Sequence, residues 1–121
     1  MKPGDLYLAE VEYEDDGGKT AGGPGKKVRP VVVLKVTDVG MYVVVHSRSK
    51  FKNPRKYRLL LEIEFGPTNY HTVWKAGLRD TSYFYDCNVS LLSKDKFKEF
   101  LGVLKNSDFQ EIKNGLKELF D

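Results

Sequence analysis

An arginine and a proline stand at the head of an apolar run, "KKVRPVVVLKV" (Lys26 to Val36), and a polar cluster, "HSRSK" (His46 to Lys50), ends the next one. Only the turn "TDVG" (Thr37 to Gly40) separates the two runs, so they are predicted to pair as antiparallel strands. The start of one then lies beside the end of the other. This brings Arg29 near His46, Ser47, Arg48 and Ser49 on one rim of a sheet. A guanidinium beside hydroxyls suits charge that develops on a phosphate during transfer. If the attacking group is a ribose 2′-hydroxyl of the substrate itself, no metal and no cofactor is required. His46 has the intrinsic acidity of a proton relay, and equally suits a structural strand-end role. The other reading open for Arg29 is an ion pair with an acid such as Glu12.

Charge is distributed unevenly around this rim. Residues 5 to 16 carry six acids and no base, whereas Arg48 to Arg58 carries Arg48, Lys50, Lys52, Arg55, Lys56 and Arg58 with no acid. With Lys27, that basic run fits a phosphate-rich partner, and it also fits a solvated loop between strands. Tyr57 and Trp74 are candidates for stacking unpaired bases, or for core packing. Other chemistries lack their residues. His46 and His71 have no ligand-spaced neighbour, which speaks against a zinc site. "GGPGKK" shares only composition with a phosphate loop, since no helix follows it. The single cysteine, Cys87, excludes an internal disulfide framework and reads as a buried, inert thiol.

The elements that would hold these residues are mostly strands. "GDLYLAEVEY" alternates at Tyr7, Ala9, Val11 and Tyr13. A loop with five glycines and a proline in fourteen residues follows, and its stretch Gly17 to Gly25 suits either a mobile flap or a plain linker. The second strand covers Val28 to Val36, with Pro30 at an edge or early position. "MYVVVHS", "KYRLLLEIE" and "SYFYDCNVSLL" supply further strands, and such a succession without long helices between predicts a small antiparallel barrel. Two amphipathic helices are predicted to close the chain. The first carries Phe97, Phe100, Leu101 and Leu104 after Ser93 as N-cap; the second follows a capping box at Ser107 to Gln110.

The bulk composition is that of one ordinary globular domain, residues 1–121, with 40% apolar residues and a net charge of +3. The N-terminus has no apolar core of a signal peptide, and no run is long enough to span a bilayer, which predicts a cytoplasmic protein.

The order of motifs resembles a known family. "KPGDLYLAEVEY", the glycine-rich loop, "VRPVVVLKV" and then "WKAGLRDTSYFYDCNVSLLSKDKF" are similar, over nearly the whole chain, to the MazF/PemK toxins of type II toxin–antitoxin modules. The resemblance implies a mainly β fold with C-terminal helices, an SH3-like small antiparallel barrel of the MazF/CcdB kind, and a homodimer with an RNA groove spanning both chains. It implies metal-independent endoribonuclease cleavage of single-stranded mRNA, restraint by a cognate antitoxin protein, and DNA binding in complex with that antitoxin. Arg29 matches the family's catalytic arginine. Its second catalytic residue is commonly Thr or Ser at the end of the third strand, where Ser47 stands, with Ser49 as the alternative. Under the same resemblance Lys27, Arg48, Ser49, Lys50, Lys52, Arg55 and Lys56 would contact RNA. Two departures accompany it: serine replaces the usual threonine, and residues 48–74 diverge, so a cleavage sequence does not carry over. A catalytically silent SH3-like binding module and a toxin with a protein target are the alternatives from other classes.

Overall fold

A computed structural model describes residues 1–13, 25–48, 58–63 and 81–120. Among these residues the chain forms β1 (Asp5–Tyr13), β2 (Gly25–Val36), β3 (Tyr42–Arg48), β4 (Leu59–Ile63), β5 (Ser82–Leu92), β6 (Phe97–Val103) and one helix, α1 (Asn106–Gly115). All pairings are antiparallel and the strands form one open sheet in the order β4-β5-β3-β2-β1-β6.

The run "VVVL" is continuous rather than alternating because β2 is central and buried on both faces. Val32 and Leu34 join Leu6, Val45, Leu61, Ile63 and Phe84 beneath Leu104, Ile112 and Leu116 of the C-terminal segment. Val31 and Val33 join Ala9, Val11, Val44 and Leu92 on the opposite face, with Tyr7, Tyr42 and Phe97 packed alongside. The β2–β3 connection is tight. Thr37 N–H donates to Met41 O (2.9 Å), and Met41 N–H donates to Thr37 Oγ1 (3.0 Å). Gly40 takes φ +79°, a left-handed turn position that a side chain would strain. The turn pairs Val36 with Tyr42 and Lys35 with Val43, and a register shift between Val33 and Lys35 then places Val31 opposite His46.

Three sequence expectations are corrected here. Pro30 is neither at an edge nor at a strand start: it lies within β2, between β1 and β3, opposite Leu8. The segment after Ser93 is not a helix. It makes a single 3₁₀ turn, Lys94–Lys96, and then strand β6, which pairs with β1. The helical spacing of Phe97 and Phe100 has another cause. Register shifts at Leu6/Tyr7 and Leu8/Ala9 interrupt the two-residue alternation, so both rings meet Tyr7 edge-on, at 5.4 and 5.2 Å between centroids. Gly102, at φ +150°, departs further from helical backbone. Nor does the Ser107 capping box form. The helix begins at Asn106 after Lys105, with no side-chain cap, and Ser107 falls inside its first turn.

The helix is fastened at its other end. The Arg58 guanidinium donates to the Gly115 carbonyl, where the helix dipole favours a cation. Gly115 also lets the helix approach β4, because a Cβ there would run into Leu60 Cδ2. Gly115→Ala is therefore expected to lower stability by about 1 kcal/mol: overpacking costs 1–3 kcal/mol, and Ala's better helix propensity returns up to about 1. Urea unfolding measures this, and an unchanged or raised midpoint would show that Leu60 yields freely.

Candidate functional site

The candidate residues gather on the sheet face away from α1. Along β2 the two-residue period puts Arg29 on the side of Val31 and Val33; along β3 it puts His46 and Arg48 on the side of Val44. Glu12 is opposite Lys26, and Arg29 is opposite Ala9, so the ladder does not set Arg29 against that acid. Extending the β2–β3 register by one pair sets Pro30 against Ser47. Proline has no N–H to give the Ser47 carbonyl. Arg29 Nη1 donates to that carbonyl instead, at 3.4 Å, a long bond that ties the guanidinium across the end of β3.

The contact with Ser47 is thus through its main chain. Its side chain belongs to the other face, because Ser47 pairs with Phe84, a residue of the helix-side core. The expected convergence of the Ser47 hydroxyl on Arg29 gives way to that of His46, by the plain alternation of a strand. His46 is only 4% exposed, and among the described residues neither Nδ1 nor Nε2 has a hydrogen-bond partner. Burial lowers its pKa to about 4, with repulsion from Arg48 and then Arg29 adding to the effect. At neutral pH the imidazole is uncharged between two cations.

Strand β5 opens opposite this histidine. Val45 pairs with Val89 but Ser47 pairs with Phe84, so His46 alone faces the four residues Tyr85 to Asn88. Such bulges re-aim side chains, and this one delivers Asn88 to the site. Asn88 is 4% exposed, and its Oδ1 accepts from Arg48 Nε at 2.8 Å. Asp86, two residues earlier, turns to Arg58, accepting from its main-chain N–H at 3.3 Å and pairing with its guanidinium at 3.8 Å. Sequence reasoning missed Asn88. Its signal was "DCN", a polar interruption in an otherwise apolar strand. Cys87, expected to be buried, is exposed on the same bulge.

Lys27 is exposed on β2, opposite Val11. Ser49, Lys50, Lys52, Arg55, Lys56, Tyr57, His71 and Trp74 lie outside the described residues, as does the glycine loop up to Pro24. Among the described residues, no three His, Cys, Asp or Glu side chains gather as a metal-binding set. No helix among them is long and apolar enough to cross a membrane.

Residues 2–120 match the family described as PemK-like, MazF-like toxin of type II toxin–antitoxin system. No curated protein gives a significant match. The family match spans nearly the whole chain, and the chain belongs to that toxin family.

A buried neutral histidine makes stability depend on pH with a definite sign. The unfolded imidazole, with its ordinary pKa near 6.5, takes up a proton before the folded one at about 4 does. Its contribution is therefore fully present above about pH 6.5 and is lost as pH falls to about 4. The loss amounts to about 3 kcal/mol at most, by the usual conversion of such a pKa difference. His46→Gln is expected to flatten this part of the stability profile in urea titrations between pH 7 and 4. Superimposable acid limbs for the two proteins would contradict it.

Proposed function

We propose that the chain is the endoribonuclease toxin of a type II toxin–antitoxin module, cutting single-stranded mRNA without a metal. The observation that carries this reading is the placement of Arg29 on the same sheet face as a buried, uncharged His46. The ribose 2′-hydroxyl attacks the adjacent phosphorus, forming the 2′-O–P bond, and the bond to the 5′-oxygen breaks. His46 takes the 2′-proton, and the imidazolium so formed releases it through solvent to the leaving 5′-oxygen. The products are a 2′,3′-cyclic phosphate and a 5′-hydroxyl end. Arg29 faces the negative charge that grows on the phosphoryl oxygens, where a fixed cation in a poorly solvated site acts strongly.

In this reading the partner of Arg29 is His46 and not the Ser47 hydroxyl, which belongs to the helix side of the sheet. Lys27 and Arg48, with the basic segment Ser49 to Lys56, draw in the RNA through its phosphates, which makes binding weaken with salt. Membership of the toxin family supports two further partners, a cognate antitoxin protein and a second copy of the chain in a homodimer.

The test is induction of wild type and of Arg29→Ala, His46→Ala and Ser47→Ala variants, with mapping of cellular RNA ends. Arg29→Ala and His46→Ala are each expected to reduce cleavage by about a hundredfold or more, and Ser47→Ala by less than about tenfold. Intact RNA with the wild type sinks the ribonuclease reading. Undiminished cutting by Arg29→Ala sinks the mechanism, and a loss in Ser47→Ala as large as in His46→Ala returns the second role to Ser47.

A further inference from the structure

A guanidinium held by a neutral amide leaves the pair a net positive charge, whereas a carboxylate partner cancels it. Arg48 is held in the first way. Its Nε donates to Asn88 Oδ1 at 2.8 Å, and Asn88 is nearly fully buried, so the amide is fixed by its surroundings. The bulge that brings Asn88 there also carries a carboxylate, Asp86, but that group is drawn away to Arg58. Opposite the bulge sits His46, buried with two unpartnered ring nitrogens among the described residues. An orphaned buried polar group is costly unless something answers it.

We infer that Arg29, Arg48 and His46 form a binding site for a single phosphate group, and that Asn88 is its positioning residue, anchoring Arg48 without cancelling its charge. The inference deepens the ribonuclease reading and rests on it only for the identity of the natural ligand, a phosphodiester of RNA. Anchoring through Nε is side-on, and a planar guanidinium held that way carries further N–H donors on its Nη atoms suited to phosphate oxygens. Arg29 supplies the second cation, tethered through Nη1 to the Ser47 carbonyl. The imidazole between them answers the incoming charge. The two cations that disfavour a proton on His46 are offset by an anion bound between them.

Inorganic phosphate is the probe, and the imidazole proton resonances of the full-length chain are the readout. The chain has two histidines, and a His71→Gln variant assigns the signals. Phosphate is expected to shift the His46 resonance saturably near neutral pH and to raise its titration midpoint. Asn88→Asp should fold with a near wild-type melting temperature, since Asp still accepts from Arg48. It should nevertheless bind phosphate about tenfold more weakly, the equivalent of one charge-assisted hydrogen bond. Arg48→Ala should weaken binding to a similar degree, and Arg48→Lys, which keeps the charge but lacks Nε, should fall between. The absence of saturable binding in the wild type overturns the site. An Asn88→Asp protein that binds phosphate as well as wild type overturns the role of the neutral amide. Cleavage of RNA is scored separately. Phosphate binding with no cleavage leaves this site standing and removes the ribonuclease reading; cleavage with no response of phosphate to Arg48 or Asn88 does the reverse.

Discussion

The absence of one N–H group organises the candidate site. β2 is a central strand, buried on both faces, and its neighbours would ordinarily claim every main-chain donor it has. At Pro30 there is no donor to claim, and the ladder with β3 ends at Val31 opposite His46. The Ser47 carbonyl beyond that pair takes a side-chain donor, Arg29 Nη1. A break in a buried ladder normally costs stability. Here it falls at the end of the β2–β3 pairing, and it ties a charged side chain to the rim beside the histidine.

Placing two arginines and a histidine over an apolar sheet face raises an electrostatic problem, which the fold meets in two ways. His46 gives up its charge, because burial and its cationic neighbours all disfavour the imidazolium. The arginines cannot do this, since a guanidinium stays protonated in proteins. Arg48 is held by a neutral amide oxygen, and Arg29 donates to a main-chain carbonyl. The result is a concentration of positive charge at one end of the β2–β3 hairpin. Asp86, the carboxylate on the β5 bulge, is engaged by Arg58, which also reaches the C-terminal end of α1.

Much of this was legible in the sequence wherever a local pattern determined the outcome. The turn after Val36 fixed the hairpin, and the hairpin brought Arg29 to His46. What failed did so where distant chain decided. Phe97 and Phe100 have helical spacing, yet β1 offered an open ladder and Tyr7 a ring that both could reach, so the segment became β6. Asn88 could not be found from spacing, because it depends on an uneven pairing between β3 and β5. Ser47 is a different case. The two-residue period of a strand already separates it from His46, and reading "HSRSK" as one cluster ignored that Ser47 and Arg48 point to opposite sides.

That same alternation explains why the site can be stiff without a loop to build it. Val45 and Ser47 look toward α1, where Val45 packs with Phe84, Ile112 and Leu116 in one core. His46 and Arg48 look the other way from the same seven-residue strand. Any displacement of His46 must move Val45 through close-packed side chains, and protein interiors resist such movement. The helix therefore supports the candidate site from the far side of the sheet without touching it. Its grip on β4 at Gly115 and Leu60, and the Arg58 bridge from its last turn to the β5 bulge, connect that support to β5, the strand beside His46, and to β4 beyond it. Loosening α1 should then be felt first at the bulge, since Asp86 and Asn88 share it and only one residue lies between them.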